Sequence, residues 1–376
     1  MKLLLCAPVY PPSVGGVQTL SARIAGELSE RGHEVQVIAR GISKDSEIDK
    51  ENKLVRVLRI SFKPFISPIL FYFVLFRRPQ VLLLTHRADF LRFAILIKKI
   101  FRIPFVVIIH GNEIYGSPRK EKLKESLNKS SALIAVSEYT KNRLVSLGFR
   151  DDKIFSIRNG VSYSNFGPDS EGEILREDLG FSENKILLSV GRLQLVKGFD
   201  CVIRSLPIIV KKYPNIVYVL VGDGPEMQNL KTLAKELDVS ERVVFVGEIP
   251  YGKMGRGRYA YYQACDIFLM PSRIDYKDNS VEAFGIAHLE AGACGKPVIG
   301  GFSGGSPEAV LDGENGFLVN PENPDEIASA VLKIFNSPSL SDSMGEKGKE
   351  LARESNWSNV VKNYEKLLLQ IVKPEA

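Results

Sequence analysis

Residues 280–300 read SVEAFGIAHLEAGACGKPVIG, a stretch that combines a loop, a helix and a strand. The run that follows Gly285 is rich in Ala and Leu, which favours a helix starting near that residue. Pro297–Ile299, close behind the helix, is short and apolar and predicts a buried strand. A helix that leads directly into a buried strand is the repeating unit of α/β proteins with parallel sheets. This stretch therefore predicts the α/β class.

The same alternation of apolar, β-rich runs with helical patterns extends along the whole chain. Strands are predicted at Lys2–Pro8, Glu34–Ala39, Leu54–Ile60, Val81–Thr85, Phe105–His110, Ala132–Val136, Ile154–Ile157, Lys185–Val190, Ile216–Val221, Val243–Val246, Ile267–Met270 and Pro297–Ile299, and a further strand ends the segment DGENGFLV (residues 312–319). Helical patterns such as Val17–Arg31 lie between them. We expect doubly wound sheets, in which ligands bind beside the carboxyl ends of the strands.

The length of the chain favours two domains. At 376 residues it is longer than a single hydrophobic core usually grows. A polar segment, Gly167–Gly172, is the candidate linker. We therefore predict one domain over residues 1–166, a second over 167–356, and a C-terminal helix over 357–376 that packs back against the first domain. The apolar stripe of this helix comprises Trp357, Val360, Val361, Tyr364, Leu367 and Leu368.

Composition and cysteine usage indicate a cytoplasmic globular protein. With 44% hydrophobic and 25% charged residues the chain is neither disordered nor fibrous. Its four cysteines are scattered, and none has the close spacing of a zinc or redox site, so they are predicted to be reduced core thiols. The opening apolar run, Met1–Pro12, is too short and too poorly flanked for a secretory signal, which leaves a first strand as the better interpretation.

The distribution of charge along the chain indicates which kinds of binding partner to expect. The net charge of +6 arises in the first 180 residues, whereas the rest of the chain is slightly acidic. A basic half attracts an anionic membrane surface or an acidic acceptor, while dispersed cations without a recognisable motif argue against nucleic acid.

Phe65–Phe76 reads FISPILFYFVLF and is too short for a membrane span, which needs about 20 residues. A buried or half-buried helix is the favoured interpretation; a membrane-facing helix, flanked by Lys63, Arg77 and Arg78, is the alternative.

Two carboxylates in the opening stretch are candidate ligand-binding groups. Glu282 precedes the predicted helix and Glu290 lies more than a turn inside it, about 10 Å further along the axis at 1.5 Å per residue. That separation suits one carboxylate on a sugar and the other on a ribose. The amide groups at the start of the helix form a natural phosphate site, and they belong to Phe284, Gly285 and Ile286. The alternatives are a helix cap for Glu282 and a buried ion pair for Glu290.

Two cations follow the predicted strand that ends at Val190. The loop after it begins at Gly191 and carries Arg192 and Lys197. Cations at the carboxyl end of a strand can neutralise a diphosphate leaving group, which a metal ion would otherwise do. No D-x-D metal motif occurs in the sequence, so we expect no metal and no other cofactor. The alternative is a pair of solvated surface cations, and the flanking glycines argue against it.

Three weaker features complete the candidate site. Gly15 and Gly16 follow the first predicted strand and could place backbone amides against a phosphate or an acceptor. His110 ends an apolar strand in IIHGNE and could contact a sugar hydroxyl; the alternative is a core-edge histidine that holds a loop carbonyl. The Gly-rich loop Gly301–Glu308 is expected to shape the donor pocket.

Taken together, these residues resemble the retaining GT-B glycosyltransferases of family four. The resemblance covers nearly the whole chain and rests on segments that occur in the family's order: PPSVGG (11–16), HGNE (110–113), NGV (159–161), VGRL and VKG (190–198), VGDGP (221–225), the E-x7-E pair and GGSPEAVLDGENGFLV (304–319). It implies two Rossmann-like domains that face each other across a central cleft. It also implies a nucleotide-diphosphate sugar donor, retention of the anomeric configuration and no metal requirement.

The resemblance implies a role for each candidate residue. Arg192 and Lys197 match the cations that stabilise the donor diphosphate. Glu282 matches the glutamate that faces the transferred sugar, and Glu290 the one that hydrogen-bonds the ribose. Two positions in the first half also match the family: the Gly16 amide, which approaches the phosphate, and His110, which lies near the outer sugar hydroxyls.

The donor, the acceptor and the rival functions are less sharply defined. The loop SRIDYKDNSVEAFG (272–285) is closest to branches that handle mannosyl lipids, which favours GDP-mannose over UDP-sugars. The acceptor is expected to be a sugar, either lipid-linked or a polysaccharide precursor, reached from the cytoplasm at the inner membrane face. A non-catalytic scaffold that binds sugar nucleotides and a sugar-nucleotide epimerase are the alternatives, although we find no convincing acid/base pair for the latter. A nicotinamide dehydrogenase would require a G-x-G-x-x-G fingerprint, which is absent.

Overall fold

A computed structural model of the chain describes residues 1–13, 15–40, 55–60, 66–86, 90–115, 120–163, 170–249 and 257–373. The chain forms two compact units. The first comprises Met1–Asn159 together with Trp357–Ala376, and the second comprises Gly160–Asn356. The division after Asn159 precedes the boundary predicted at residue 166, which itself lies outside the described residues, as does the start of the predicted linker.

The first unit is built on a seven-stranded parallel sheet with the strand order β3-β2-β1-β4-β5-β6-β7. Its strands are β1 (Lys2–Ala7), β2 (Glu34–Arg40), β3 (Arg56–Ile60), β4 (Val81–Leu84), β5 (Phe105–Ile109), β6 (Ala132–Ala135) and β7 (Ile154–Ser156). Its helices are α1 (Gly16–Glu30), α2 (Ile66–Arg77), α3 (Leu91–Phe101), α4 (Asn112–Tyr115), α5 (Lys120–Leu127) and α6 (Glu138–Ser146), and one more is contributed by the C-terminus.

The second unit is built on a six-stranded parallel sheet with the order β10-β9-β8-β11-β12-β13. Its strands are β8 (Lys185–Val190), β9 (Ile216–Val221), β10 (Val243–Gly247), β11 (Ile267–Met270), β12 (Val298–Gly301) and β13 (Gly316–Val319). Its helices are α7 (Ser170–Asp178), α8 (Phe199–Val210), α9 (Met227–Glu236), α10 (Arg258–Ala264), α11 (Ile286–Ala293), α12 (Pro324–Phe335) and α13 (Pro338–Glu354).

In both sheets the strand order reverses beside the first strand. In the second unit, the chain moves outward from β8 to β9 and β10, and then returns to place β11 on the other side of β8. The carboxyl ends of β8 and β11 therefore lie side by side at a topological switch point, where doubly wound sheets bind their ligands. The same arrangement recurs in the first unit at β1 and β4.

The predicted α/β class with two parallel sheets is confirmed, and each predicted strand is present within the described residues. Every residue of β5 and of β9 is buried. Strands that are covered on both faces read as continuous apolar runs, which is why the sequence identifies them well. The predicted strand start at Leu54 lies outside the described residues.

The C-terminal helix, α14 (Trp357–Val372), belongs to the first unit. It buries the predicted apolar stripe in full. Two polar contacts join it to the end of α1 and the turn that follows: the Arg31 guanidinium donates to the Ser358 carbonyl at 2.6 Å, and His33 Nε2 lies 2.7 Å from Glu365 Oε1. The far end of the chain thus contributes one helix to the core of the first unit.

The predicted apolar segment forms α2, although Phe65 itself lies outside the described residues. Leu70 and Val74 of this helix are buried, so the helix is half-buried. It contacts α3 through an edge-to-face pair between Phe71 and Phe101, whose ring centroids lie 6.0 Å apart. Exposed apolar side chains of the two helices, which we call the α2–α3 apolar surface, are Tyr72, Leu75, Phe76, Leu96 and Ile100. Within the part of the chain that the structure describes, no helix has the length and apolar character to cross a bilayer.

The cysteines are free thiols, as the sequence predicts. Three are buried and Cys294 is half-buried. Burial raises the pKa of Cys201 to about 11 and that of Cys265 to about 12. These thiols are therefore protonated at neutral pH and act as core packing groups.

Candidate active site

Two loops meet at the switch point of the second sheet. The loop after β8 starts at Gly191, whose amide donates to the Val221 carbonyl at 2.9 Å, and it ends in a short 3₁₀ turn over Leu195–Lys197. The loop after β11 is tied to it by Arg273, whose backbone amide donates to the Val196 carbonyl at 2.9 Å. The Arg273 guanidinium also donates to Asp200 at the start of α8, at 2.8 Å. These bonds fix the two loops relative to each other.

The two loops bring Lys197 and Glu282 into contact. Lys197 Nζ donates to Glu282 Oε2 at 2.5 Å, and the two side chains are only 20% and 14% exposed. Burial alone would raise the pKa of Glu282, but the neighbouring Lys197 cation and its hydrogen bond outweigh burial and lower it. The glutamate is therefore ionised at neutral pH. Two residues that the sequence suggested separately thus form one charged pair.

Arg192, the second predicted cation, differs from Lys197. Its side chain is exposed, and within the described residues it makes neither an ion pair nor a hydrogen bond. A guanidinium group carries five donors in a planar fork that matches phosphate geometry. Arg192 is therefore available to bind an anion next to the Lys197–Glu282 pair.

The start of α11 lies directly after Glu282. Gly285 precedes the helix with φ of 97°, a left-handed conformation, and a Cβ at this position would lie 2.7 Å from His288 Nδ1. Only glycine fits there. The amides of Gly285, Ile286 and Ala287 make no hydrogen bond to any described residue, as is usual for a first helical turn. The Phe284 amide, which the sequence grouped with them, lies near the Glu282 carboxylate and helps to lower its pKa.

The Gly-rich loop after β12 supports the backbone that carries Glu282. The Gly305 amide donates to the Glu282 carbonyl at 2.8 Å. A Cβ on Gly305 would lie 2.1 Å from the Ala283 carbonyl oxygen, so the two loops approach more closely than any other residue allows. This contact fixes the Glu282 backbone and leaves its side chain to Lys197.

Glu290 lies buried inside α11, and both of its oxygens are engaged. The Arg258 guanidinium donates to Oε1 at 2.7 Å, and the Tyr262 hydroxyl donates to Oε2 at 2.7 Å. The buried ion pair that the sequence left open as the alternative is therefore present. It does not exclude a ligand, because a carboxylate offers about four acceptor sites and two are occupied. Arg258 and Tyr262 were not identified from the sequence.

His288 is a further residue of this region that the sequence analysis did not identify. The side chain is fully buried between the start of α11 and the end of β12, and its ring meets Phe268 edge-to-face at 5.4 Å. Among the residues that the structure describes, none forms a hydrogen bond of good geometry with either ring nitrogen, although the carbonyls of Gly285 and Met270 lie nearby. Burial lowers the pKa of His288 to about 4, an effect that Glu282 opposes and Lys197 strengthens. The imidazole is therefore neutral at physiological pH.

The remaining predicted residues belong to the first unit. Gly15 caps α1 and Gly16 is its first residue, at the carboxyl end of β1. His110 follows β5, and its Nε2 donates to the Thr85 carbonyl at 2.9 Å, so the ring does hold a loop carbonyl. The His86 ring is stacked on it with centroids 6.3 Å apart. Nδ1 of His110 is then the nitrogen left for a ligand.

Comparison with known proteins agrees with this arrangement. The family model described as Glycosyltransferase Family 4 matches residues 14–165, and the model described as Glycosyl transferases group 1 matches residues 172–351. A GDP-mannose-dependent alpha-(1-6)-phosphatidylinositol monomannoside mannosyltransferase of Mycolicibacterium smegmatis is 30% identical over 371 residues, covering 94% of each chain. N-acetyl-alpha-D-glucosaminyl L-malate synthase of Bacillus anthracis is 26% identical and covers 100% of this chain and 99% of that protein.

A solved structure shares the fold. The crystal structure of Anabaena HepE in complex with UDP gives a TM-score of 0.82 at 22% identity, over 98% of this chain and 100% of that one. The chain therefore belongs to the group 1 glycosyltransferases, with two Rossmann-like α/β units of the GT-B type. It is an enzyme that transfers a glycosyl group.

Proposed function

We propose that the protein transfers mannose from GDP-mannose to a lipid-linked sugar acceptor, with retention of configuration and without a metal ion. The observation that carries the proposal is the cluster at the β8–β11 switch point. It combines the Lys197–Glu282 pair with the Arg192 guanidinium and the amides at the start of α11, which have no hydrogen-bond partner among the described residues. Positive charge and amide donors beside one ionised carboxylate suit a sugar diphosphate.

The charges supply what a metal ion supplies in other transferases. A departing nucleoside diphosphate gains negative charge as its bond to the sugar breaks, and preorganised donors stabilise that charge. Arg192 and Lys197 are two such donors, and the amides of Gly285 and Ile286 at the positive end of a helix are two more. Lys197 leaves Glu282 for the diphosphate, which frees that carboxylate for the sugar hydroxyls.

The reaction that this arrangement favours is a front-face substitution. The bond between the anomeric carbon and the diphosphate oxygen breaks while the acceptor oxygen bonds to the same face of that carbon. The acceptor hydroxyl proton passes to the departing diphosphate oxygen, so no protein nucleophile is needed. His110 is proposed to contact the outer sugar hydroxyls through Nδ1. The anomeric proton signal of the product in NMR checks this route, and an inverted product would rule it out.

Guanine is the proposed donor base because a relative that is similar over nearly the whole chain is named as a GDP-mannose-dependent enzyme. That relative is the mannosyltransferase of Mycolicibacterium smegmatis. A uridine donor is the second candidate, since the structurally similar Anabaena protein is complexed with UDP. Glu290 is proposed to accept a hydrogen bond from the ribose with either base.

A thermal-shift panel of GDP, UDP, ADP and their sugar conjugates tests the donor site. GDP at 100 times its Kd is expected to stabilise the protein by about 2.7 kcal/mol, with the same shift in excess EDTA. A thermal shift with UDP alone would mean that the donor base is uracil and not guanine. The absence of any shift in a folded sample would reject the donor site, and loss of the shift in EDTA would reject metal independence.

A second assay separates the enzyme from a scaffold. A transferase with an intact donor site releases nucleoside diphosphate from its donor slowly in water and faster with acceptor. A scaffold binds the same sugar nucleotide without releasing diphosphate under either condition. Binding without turnover over a broad acceptor panel would therefore favour the scaffold.

The proposed acceptor lies at the cytoplasmic face of a membrane, and the α2–α3 apolar surface is the proposed contact. Leu75 is 53% exposed and Phe76 is 69% exposed, beside the exposed cations Arg77 and Arg78. Apolar side chains enter the boundary between headgroups and acyl chains, while each nearby cation adds about 1 kcal/mol on an anionic leaflet. This combination suits a peripheral protein that binds anionic lipid.

Sedimentation with phosphatidylglycerol–phosphatidylcholine vesicles tests this contact. Replacing Leu75 and Phe76 together by Ser is expected to weaken binding about 100-fold or more, because each buried side chain of this size contributes about 1.5–3 kcal/mol. Val145→Ser, which removes an exposed apolar side chain from α6, is the matched control and should bind as wild type. Equal binding by all three proteins would remove the membrane contact from the proposal.

A further inference from the structure

Arg258 lies outside every motif that identifies the family in this sequence, yet it forms one of the most buried ion pairs in the second unit. Its guanidinium donates to Glu290 Oε1 at 2.7 Å, and the Glu290 side chain is only 9% exposed. Arg258 begins α10, and Glu290 lies in the middle of α11, 32 residues further along the chain. The pair therefore joins two helices of the second unit.

Arg258 is the cation that compensates the buried Glu290 carboxylate. A carboxylate that is buried without a cation either becomes protonated or destabilises the fold. Tyr262 cannot replace Arg258, because its hydroxyl is a neutral donor and occupies the other oxygen. Burial by itself lowers the pKa of Arg258, but Glu290 beside it outweighs burial and raises it, so the guanidinium is charged in the folded protein.

The two bonds also fix the direction of the carboxylate. With one donor on each oxygen, rotation about the terminal side-chain bond would break both contacts. The acceptor sites that remain then point in one fixed direction. Preorganised acceptors of this kind discriminate strongly between ligands that carry a hydroxyl group and ligands that lack it.

We infer that Arg258 is a positioning residue for the nucleoside end of the donor: it holds the Glu290 carboxylate in one orientation, aimed at the ribose hydroxyls. The inference rests on the proposed function, in which Glu290 contacts the ribose. Arg258 itself does not touch the nucleotide. Its effect is therefore confined to ligands that carry ribose hydroxyls, which distinguishes it from a residue that only stabilises the fold.

Titration calorimetry with GDP and 2′,3′-dideoxy-GDP tests the inference, with the uridine pair in their place if UDP is the nucleotide that stabilises the protein. The wild type is expected to bind the dideoxy nucleotide roughly 10- to 100-fold more weakly, as for the loss of hydrogen bonds to a charged group. Arg258→Met is expected to reduce this ratio to about threefold or less. Its donor KM should rise while kcat at saturation stays within about threefold of wild type.

A second comparison includes a double variant in which both charged members of the pair are removed, so that neither group is left buried without its partner. Glu290→Gln alone and Glu290→Gln with Arg258→Met should bind GDP equally, because Arg258 acts through the carboxylate that both proteins lack. A further loss of GDP affinity in the double variant would mean that Arg258 contacts the nucleotide or supports the whole site, and would overturn the inference.

The outcomes distinguish the ribose contact of Glu290 from the positioning role of Arg258. If the wild type does not distinguish the two nucleotides, the ribose role of Glu290 in the proposed function is wrong and the inference falls with it. If the wild type distinguishes them and Arg258→Met does so equally well, Glu290 keeps its role and Arg258 is a structural residue only.

Discussion

Arg192→Ala is expected to lower kcat about 10²- to 10³-fold, the loss typical of one electrostatic contact to a transition state. Its stability should remain within about 0.5 kcal/mol of wild type, as for an ordinary surface substitution. Arg192 is expected to matter for catalysis and not for folding, because it is exposed in the folded protein and is proposed to contact the departing diphosphate. The side chain is exposed and makes no bond to a described residue, so the folded protein loses nothing when it is removed. Only the charge that grows on the departing diphosphate requires it.

Lys197→Ala should lower kcat by the same order and, unlike Arg192→Ala, also lower stability. Removing Lys197 leaves the largely buried Glu282 carboxylate without its cation. An unsatisfied group of this kind costs about 1–3 kcal/mol. Adding Glu282→Gln to Lys197→Ala should restore most of the stability without restoring turnover. The pair of variants thus separates the structural role of Lys197 from its catalytic role.

Nucleotide release at saturating donor gives kcat, and chemical denaturation gives the free energy of unfolding. Lys211→Ala, which removes an exposed cation beyond the end of α8, is the control and should change neither quantity. Near-normal turnover in Arg192→Ala would remove this residue from catalysis. Unchanged stability in Lys197→Ala would show that the contact with Glu282 contributes nothing to folding.

The strands could be predicted from the sequence because buried parallel strands have a clear signature. Strands buried on both faces, such as β5 and β9, appear as unbroken apolar runs, and the helices between them carry a single apolar stripe. Their alternation indicates two doubly wound sheets. The boundary after Asn159 was harder to place, because no local pattern marks the residue at which the chain leaves the first unit. The return of the chain to that unit at Trp357 was predicted from the apolar stripe of the last helix.

The site could be predicted only in part, for a related reason. Lys197 and Glu282 each follow a strand, and the switch point brings their loops together although they are 85 residues apart. Arg258 carries no such signal, because in the local sequence GRGRYAYY it looks like any surface cation. Only the packing of α10 against α11 identifies its partner. His288 could have been noticed in the sequence, because it is an isolated histidine in an apolar helix, three residues after a glycine cap.

We expect the buried His288 side chain to make the protein less stable in mild acid. Burial lowers its pKa to about 4, whereas an imidazole in an unfolded chain titrates near 6.5. Between these two values the unfolded chain binds a proton that the folded chain does not bind. The free energy of unfolding therefore falls as the pH falls through this window, and the loss is complete below pH 4. At 1.36 kcal/mol per pKa unit the loss attributable to His288 is about 3 kcal/mol.

His288→Leu isolates this contribution. Leucine is close to histidine in volume and has no ring nitrogen to leave unsatisfied, so the variant should be as stable as wild type at pH 8. Between pH 6.5 and 4 its stability should fall by about 3 kcal/mol less than that of wild type. Glu282 and Lys197, the charged groups that face the ring, are present in both proteins and do not account for the difference.

The choice of probe decides whether this difference can be seen. The single tryptophan, Trp357, belongs to the first unit, whereas His288 belongs to the second, so tryptophan fluorescence follows the wrong unit. Urea unfolding followed by far-UV circular dichroism at each pH reports on both sheets. Parallel pH curves for wild type and His288→Leu would mean that the imidazole gains its proton in the folded protein as easily as in the unfolded chain. Either water would then reach the ring, or the Glu282 carboxylate, which favours the charged imidazole, would offset the effect of burial in full.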